Sequence, residues 1–209
     1  FFKFYTDPTR YERTGQNNAR ALLYDNKNRL WIACKDKTIA IYDNSHNFLG
    51  YLHFDGSVSM QPDTSLGMAY AITQDKSGTI WIGTKGNGLI EVQPGHSSLH
   101  FLLKQYKYSV EDIYSLSHND IYAVCEDAVG RIWIATFGGG VNYMEQIEGK
   151  TRFINYRNKL KKFPIPLCYR TRDLVSDGNG RIWIATSNGL LACKEKFSDA
   201  EQLEFEHYT

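Results

Sequence analysis

A five-residue stretch centred on tryptophan occurs four times in this chain and constrains the fold more than any other feature. The copies are Leu30-Trp31-Ile32-Ala33-Cys34, Ile80-Trp81-Ile82-Gly83-Thr84, Ile132-Trp133-Ile134-Ala135-Thr136 and Ile182-Trp183-Ile184-Ala185-Thr186. They contain all 4 tryptophans of the chain, and successive tryptophans are 50, 52 and 50 residues apart. A fixed period of about 50 residues is typical of arrays of small units that bury their apolar faces against their neighbours.

Each unit is predicted to contain four short strands, named A to D in chain order. Strand A is predicted at 19–24, 69–74, 121–126 and 171–176, and strand B is the tryptophan stretch. Strand C is predicted at 39–42, 89–92, 141–144 and 190–193, and the more variable strand D at 48–52, 100–106, 152–156 and 204–208. Both faces of strand B carry apolar or small residues, so this strand should be covered on both sides.

An aspartate follows every copy of strand A, and a glycine stands three positions after it in three units. The aspartates are Asp25, Asp75, Asp127 and Asp177, and the third positions are Asn28, Gly78, Gly130 and Gly180. This spacing predicts a type I turn in which the aspartate side chain accepts hydrogen bonds from backbone N–H groups. The fourth residue of the turn, three positions after the aspartate, should adopt left-handed backbone dihedrals. Glycine adopts that conformation freely, and asparagine tolerates it best among the other residues.

These patterns predict an all-β fold, a single β-propeller segment of four four-stranded antiparallel blades over residues 1–209. A sandwich or a β-solenoid does not require one tryptophan position at this period. The predicted blades are 7–52, 53–106, 107–156 and 157–209, and residues 1–6 are predicted to be strand D of a preceding blade. The segment should therefore be an arc of a larger ring, whose open blade faces would contact further blades or a second copy of the chain.

Charge and hydropathy exclude several classes of partner. The chain has 24 basic and 23 acidic residues, a balance that gives no positive surface for nucleic acid or anionic lipid. No apolar run approaches the roughly 18 residues of a membrane-spanning helix, and the first residues do not have the form of a signal peptide. We therefore expect no nucleic-acid partner and no membrane insertion by this segment.

The cysteines and histidines show no pattern of a metal or catalytic site. Cys34, Cys125, Cys168 and Cys193 occupy different positions of the repeat and form no CxxC pair, which predicts buried apolar side chains. The triple glycine 138–140 lacks the lysine of a phosphate-binding loop and is predicted to be a turn. We expect no catalytic residue, no metal and no cofactor.

The segment from Asp75 to Trp81 is similar to two short motifs of other propellers. It resembles the Asp-box of sialidases, but it has two residues instead of one between aspartate and glycine. It also resembles the tryptophan docking motif of quinone-dependent dehydrogenases, but it lacks the Thr-Gly pair. Both motifs are structural, so neither resemblance implies catalysis.

The loops between strands B and C should share one rim with the long connections between strands D and A, because strand direction alternates. Long loops on a rigid scaffold are common binding sites. The candidate ligand-binding residues on this rim are Arg10, Tyr11, Arg13, Asn17, Lys35, Lys85, Asn87, Tyr108, His118, Phe137, Tyr169 and Arg170. Aromatic rings together with Asn, Arg and Lys suit a polar ligand such as a sugar, although an ordinary solvated loop surface has the same composition.

The fullest copies of the motif, Asp75 to Leu89 and Asp127 to Val141, resemble the two-component regulator propeller repeat. The segment from Ser115 to Ile121 is also similar to the family's approach to strand A. The resemblance implies a seven-bladed propeller in the periplasmic sensor region of hybrid two-component histidine kinases of the Bacteroides type. It also implies a carbohydrate-type ligand, and it places any kinase activity outside this segment. Two alternatives stay open, a scaffold for protein partners and, with less support, a propeller glycan lyase or glycosidase.

Overall fold

A computed structural model describes residues 18–209, and these residues form 17 β-strands in four antiparallel sheets. Strand order in each sheet follows the order along the chain, as expected for propeller blades. The predicted strand at 1–6 and the candidate residues Arg10, Tyr11, Arg13 and Asn17 lie outside the described residues.

The first two sheets correspond to the first two repeats. Blade 1 contains β1 (Ala19–Tyr24), β2 (Leu30–Cys34), β3 (Ile39–Tyr42), β4 (Phe48–Leu52) and β5 (Val58–Ser59). Blade 2 contains β6 (Met68–Gln74), β7 (Ile80–Lys85), β8 (Leu89–Pro94) and β9 (Phe101–Tyr106).

The last two sheets correspond to the third and fourth repeats. Blade 3 contains β10 (Ile121–Glu126), β11 (Ile132–Thr136), β12 (Gly140–Ile147) and β13 (Lys150–Ile154). Blade 4 contains β14 (Thr171–Ser176), β15 (Arg181–Thr186), β16 (Gly189–Lys194) and β17 (Glu206–Tyr208). A one-turn helix, α1 (Ile165–Cys168), and a 3₁₀ turn at Ala200–Gln202 lie in the connections.

The predicted all-β propeller fold is confirmed, and the strands differ from the predicted ones mainly at their ends and by one additional strand. The short strand β5 adds a fifth strand to blade 1, because the chain reverses at Gly56, which has a φ of +87°, and pairs Ser59 with Tyr51. Strand D of blade 3 begins at Lys150 instead of 152, because Glu148 and Gly149 form a tight left-handed turn that extends the hairpin. Both features depend on turns too short to leave a periodic signal.

The repeated aspartate organises the turn between strands A and B, as predicted. In blade 3, Oδ1 of Asp127 accepts the backbone N–H groups of Val129 at 3.0 Å and Arg131 at 2.8 Å, and the N–H of Gly130 donates to the Asp127 carbonyl at 3.1 Å. The predicted left-handed position is observed in every blade, with φ of 59° at Asn28, 92° at Gly78, 88° at Gly130 and 97° at Gly180.

The second carboxylate oxygen of each aspartate accepts a hydrogen bond from the indole N–H of the tryptophan six residues later. The Oδ2 to Nε1 distances are 2.9 Å for Asp25 and Trp31, 2.8 Å for Asp75 and Trp81, 2.9 Å for Asp127 and Trp133, and 3.1 Å for Asp177 and Trp183. In the last pair, this hydrogen bond is the largest cause of an Asp177 pKa below its ordinary value. The aspartate thus fixes both the turn and the orientation of the indole.

The oriented indoles of blades 1 to 3 each pack against the next blade. Trp133 and Ala135 of blade 3 share a buried cluster with Leu174, Ile182 and Ile184 of blade 4. The same positions meet at the two preceding junctions, where Trp31 packs with Ile72, Ile80 and Ile82, and Trp81 packs with Val124, Ile132 and Ile134. The small residue two positions after each tryptophan allows this close approach, as Gly83 shows by its contact with Ile121.

The four blades form an open arc. Blades pack in chain order, and none of the four apolar clusters found in residues 18–209 joins blade 4 to blade 1. The tryptophan face of blade 4 is consequently uncovered, with Trp183 only partly buried and Val175 56% exposed. Trp31 and Trp133, in contrast, are completely buried.

Cys125, Cys168 and Cys193 form no disulfide within residues 18–209, and Cys168 and Cys193 are buried. Burial is the largest cause that raises the pKa of both the Cys125 and the Cys193 thiols to about 12. Both thiols therefore stay protonated near neutral pH, in agreement with the predicted packing role. The helices within residues 18–209 are all too short or too polar to cross a bilayer.

The packing at the blade junctions predicts that replacing tryptophan by alanine lowers the free energy of unfolding by different amounts in different blades. Trp81→Ala should destabilise the chain by about 3–5 kcal/mol, because Trp81 is buried between blades 2 and 3. The control Trp183→Ala should cost clearly less, since no blade covers that indole. Denaturant unfolding measures both, and a Trp81→Ala loss under about 1 kcal/mol would contradict the packing described here.

The turn carboxylate predicts a second comparison. Asp127→Ala should cost about 3–5 kcal/mol, because Arg131, the Trp133 indole and two backbone N–H groups would lose their common acceptor in a buried environment. Asp177→Ala, at the exposed equivalent position, should cost less in the same unfolding experiment. Equal losses at the two positions would show that burial does not set the strength of this interaction.

Candidate functional site

The B–C loops and the ends of the D–A connections lie together on one rim, tied by backbone hydrogen bonds. Lys35 N–H donates to the Asn18 carbonyl at 2.8 Å, and Phe137 N–H to the Asp120 carbonyl at 2.8 Å. In blade 4, Ser187 N–H donates to the Arg170 carbonyl at 3.0 Å. The rim is therefore built from fixed backbone rather than from independent loops.

Five side chains on this rim form a continuous stack, here called the aromatic row. Its members in spatial order are Arg20, Tyr70, Tyr122, Phe137 and Arg172. The ring centroids of Tyr70 and Tyr122 are 4.7 Å apart at 25°, and those of Tyr122 and Phe137 are 4.9 Å apart at 19°. The Arg20 guanidinium carbon lies 4.8 Å from the Tyr70 centroid, and that of Arg172 lies 5.0 Å from the Phe137 centroid.

Four of these residues occupy the same position of strand A, at a β-bulge. The pairing of strands A and B shifts by one residue in every blade, so that Arg20, Tyr70, Tyr122 and Arg172 have no direct partner on strand B. A bulged residue is re-aimed relative to its neighbours. Because the A strands of adjacent blades contact one another along the inner side of the arc, the four bulges bring their side chains into line.

The stack occupies both faces of each ring. Tyr122 lies between Tyr70 and Phe137, and the outer rings are covered by guanidinium groups. Stacked rings and cations over rings each contribute on the order of 1 kcal/mol, so the row is stable without a ligand. A bound molecule would therefore meet the edges of the row, where phenol hydroxyl and guanidinium N–H groups lie, rather than a free ring face.

The Phe137 end of the row also contains the predicted residues Tyr169 and Arg170. The Arg170 guanidinium carbon lies 5.5 Å from the Phe137 centroid and 5.1 Å from the Tyr169 centroid. Arg170 also pairs with Phe137 in an isolated β-bridge. Three of the predicted site residues thus come together at the junction of blades 3 and 4.

The triple glycine forms the predicted turn and holds this end of the row in place. The N–H groups of Gly138 and Gly140 both donate to the Tyr169 carbonyl, at 3.0 and 2.9 Å. A Cβ atom at Gly138 would lie 2.6 Å from the His118 ring, and one at Gly139 would lie 2.5 Å from Oγ of Ser117. Glycine is required here because two loops approach each other too closely for any side chain.

A buried polar network supports the glycine turn from below. Asn142 is completely buried, and its Oδ1 accepts the Ser117 N–H at 2.9 Å and Nδ2 of Asn155 at 3.0 Å. Its Nδ2 donates to Oγ of Ser117 at 2.8 Å, and Asn155 donates in turn to the Ser115 carbonyl at 3.1 Å. The D–A connection before blade 3 is thereby fixed to strand C of the same blade.

The remaining predicted residues are dispersed along the rim. Lys35 and Lys85 are exposed, each on its own blade. Asn87 donates to the carbonyls of Ser65 and Leu66 and holds the connection of blade 2.

Two predicted residues of blade 3 have local partners. Tyr108 lies 4.9 Å from the Arg157 guanidinium, away from the row. Nδ1 of His118 accepts the Asp120 N–H at 3.0 Å. That the rim residues named from the sequence contact a ligand stays a prediction.

Sequence reasoning missed Arg20, Tyr70, Tyr122 and Arg172, which form most of the row. The signal was the second position of strand A, which carries Arg or Tyr in every repeat. On a regularly alternating strand this position would lie on an ordinary blade face, whereas the bulge turns it toward the arc. No cluster of three or more His, Cys, Asp or Glu side chains that could hold a metal occurs within residues 18–209.

Concavities among the described residues lie away from the row. One of about 450 Å³ is lined by residues of the connection between β16 and β17, including Phe197 and Leu203. Another, of about 370 Å³, lies at the outer edge between blades 2 and 3, beside Glu91 and Tyr106. Neither of these two concavities is lined by a candidate ligand-binding residue that was named from the sequence.

A family model described as Two component regulator propeller matches residues 65–86 and 115–138. Each segment covers the end of a D–A connection, strand A, the aspartate turn and the tryptophan stretch of one blade. No curated protein matches the chain significantly in sequence.

The solved structures that resemble the chain include two extracellular domains of hybrid two component systems from B. thetaiotaomicron. The first has a TM-score of 0.67 and 19% identity over 93% of this chain and 25% of that one. The second has a TM-score of 0.63 and 21% identity over 91% of this chain and 24% of that one. The chain thus spans about a quarter of the length of these two structures, and the similarity establishes a shared fold.

A virginiamycin B lyase from Staphylococcus aureus is also similar in structure. Its TM-score is 0.61 and its identity 14%, over 93% of this chain and 57% of the lyase. Propellers with different activities therefore share this arrangement of blades.

The buried network predicts the effect of removing its central residue. Asn142→Ala should cost about 2–3 kcal/mol, because Ser117 and Asn155 would keep buried polar groups without partners. Hydrogen exchange should accelerate in residues 115–120 and 137–142 and stay unchanged in blade 1. The control Asn188→Ala, at an exposed position of blade 4, should change neither quantity, and an equal effect of both variants would contradict the role of the network.

Proposed function

We propose that the chain, in which two segments match the Two component regulator propeller model, is a ligand-sensing segment of the extracytoplasmic region of a two-component signalling receptor. The ligand is of carbohydrate type and binds on the rim that carries the aromatic row. The kinase activity of such a receptor belongs to other parts of a longer protein.

The observation that carries this proposal is the convergence of four blades on one row. Arg20, Tyr70, Tyr122 and Arg172 come from four different repeats and meet through contacts made blade to blade. A molecule that binds along the row would contact several blades at once, so its binding energy would depend on how the blades are placed relative to one another. A dependence of this kind is what a sensor needs in order to pass ligand binding to another domain.

The chemistry of the row supports a polar ligand with many oxygen atoms. Phenol hydroxyl groups both donate and accept hydrogen bonds, and guanidinium groups donate in a fixed planar arrangement. The hydroxyl groups of Tyr70 and Tyr122 have no hydrogen-bond partner within residues 18–209. An oligosaccharide supplies hydroxyl groups of both donor and acceptor character at close intervals, which suits these edges.

The proposed location is supported by similar structures that are named as extracellular domains of hybrid two component systems. They support an extracytoplasmic position, and within a bacterium of that type the segment would lie in the periplasm. A sugar-sensing role is consistent with this location, because polymer fragments reach the periplasm before they reach the cytoplasm.

The uncovered face of blade 4 favours a second function, contact with a protein partner. Trp183 lies in a face whose equivalents in blades 1 to 3 are buried under the next blade. Arg181 on this face donates to both carboxylate oxygens of Glu206 at 2.9 and 3.1 Å, whereas its equivalent Arg131 lies against Phe197 of the following blade. A further blade of a longer chain, or a second copy of this one, is the proposed occupant.

The test of the sensing proposal is direct binding. The full chain is titrated by calorimetry with defined oligosaccharides, and the hits are repeated with Tyr122→Ala and with the control Tyr24→Ala. Tyr122 is central in the row, whereas Tyr24 is an exposed tyrosine at the opposite end of strand A. We expect binding to wild type and at least a roughly tenfold loss for Tyr122→Ala only, since removing the ring opens the row.

Two outcomes would contradict the proposal. The first is the absence of any oligosaccharide binding by a folded chain, and the second is binding that Tyr122→Ala leaves unchanged. Capture of a protein partner that requires Trp183, without any oligosaccharide binding, would favour the scaffold function instead.

A further inference from the structure

Two guanidinium groups converge at one end of the aromatic row. The guanidinium carbons of Arg170 and Arg172 lie 5.5 and 5.0 Å from the centroid of the same ring, Phe137. The other arginine of the row, Arg20, lies at the opposite end beside Tyr70. Positive charge is therefore concentrated at the junction of blades 3 and 4, although the chain as a whole is nearly neutral.

These arginines differ from the structural arginines of the fold. Arg29, Arg131 and Arg181 form ion pairs with Asp25, Asp127 and Glu206. Within residues 18–209, the guanidinium groups of four arginines make no hydrogen bond or ion pair. Three of these arginines, Arg20, Arg170 and Arg172, lie at the ends of the row, and the fourth, Arg152, lies elsewhere. Ring contacts stabilise these guanidinium groups without neutralising their charge.

The backbone holds both arginines in fixed positions. Arg170 pairs with Phe137 in a β-bridge, and its carbonyl accepts the Ser187 N–H at 3.0 Å. The neighbouring Tyr169 carbonyl accepts two N–H groups of the glycine turn, and Arg172 lies within β14. A ligand would therefore find both guanidinium groups already placed against the Phe137 ring, which lowers the entropic cost of binding.

Two cations that lie against the same ring, and that form no ion pair within residues 18–209, favour the binding of an anion beside them. A guanidinium group keeps its charge at all physiological pH values, and its N–H groups match the two oxygens of a carboxylate or sulfate group. A guanidinium that lies over a ring keeps these N–H groups at its edge, so stacking on Phe137 does not block them. An incoming anion would also relieve the repulsion between the two side chains.

We infer that the ligand carries an anionic group, a carboxylate or a sulfate ester, which binds between Arg170 and Arg172 at the Phe137 end of the row. The inference rests on the proposed function and specifies the ligand as an acidic oligosaccharide. The acidic unit lies at the junction of blades 3 and 4, and neutral units extend along the hydroxyl groups of Tyr122 and Tyr70.

The test compares oligosaccharides that differ in charge. The full chain is titrated with a tetragalacturonate, with a sulfated disaccharide and with the neutral maltotetraose, at low and at high salt. The variants are Arg170→Gln and Arg172→Gln, and the control is Arg152→Gln. Arg152 also lies over a ring, Tyr114, without an ion pair, but on the outer strand of blade 3, so the control removes the same charge away from the row.

We expect at least one acidic probe to bind more tightly than the neutral one, with an affinity that falls as salt rises. Each row variant should weaken acidic binding by at least about tenfold, whereas Arg152→Gln should stay within about twofold of wild type. The ratio between the carboxylated and the sulfated probe identifies which anion the site prefers. Unchanged melting temperatures of the variants show that their effects do not come from unfolding.

Two results would overturn the inference, and they are distinguishable. If the neutral probe binds as tightly as the acidic probes, or the row variants behave like Arg152→Gln, the anion site is wrong while the sensing proposal survives. If none of these probes and no other oligosaccharide binds the folded chain, the proposed function fails together with the inference.

Discussion

The hydrogen bond from each tryptophan indole to the turn aspartate is the interaction on which the rest of this structure depends. One carboxylate closes the turn between strands A and B with one oxygen and orients the indole with the other. In blades 1 to 3 the oriented indole then covers the aliphatic face of the following blade. Local turn chemistry and packing between blades are in this way coupled through a single side chain, and the hydrogen bond itself recurs in all four repeats.

Because this interaction recurs in each blade and maintains the blade junctions, the residues on the rim can differ from blade to blade. The aspartate turns lie at the rim opposite the B–C loops, so the residues that maintain the blade junctions are separate from those that form the aromatic row. Substitutions along the row change its charge and ring content without affecting the indole contacts. Blade 3 uses this freedom most, with a glycine turn and a buried amide network that fix Phe137 against the connection leading to blade 4.

Strands A and B and their turn could be predicted because their signals are local and repeated. Asp127, Gly130 and Trp133 have fixed spacings, and each has one physical explanation. Strand β5 could not be predicted, because a two-residue strand leaves no periodicity. Phe137, Tyr169 and Arg170 could be placed on the rim, but nothing in the sequence indicated that they meet Tyr122 and Arg172.

The sequence by itself determined the repeat, the class of fold and the side of each blade that carries variable loops, because a period of 50 to 52 residues with one conserved turn permits few architectures. Tertiary structure alone decided the aromatic row. Its members are about one repeat apart in sequence, and a β-bulge in each strand A turns them toward the arc. A bulge is a property of the pairing between strands, so the direction of these side chains is set only when the blades assemble.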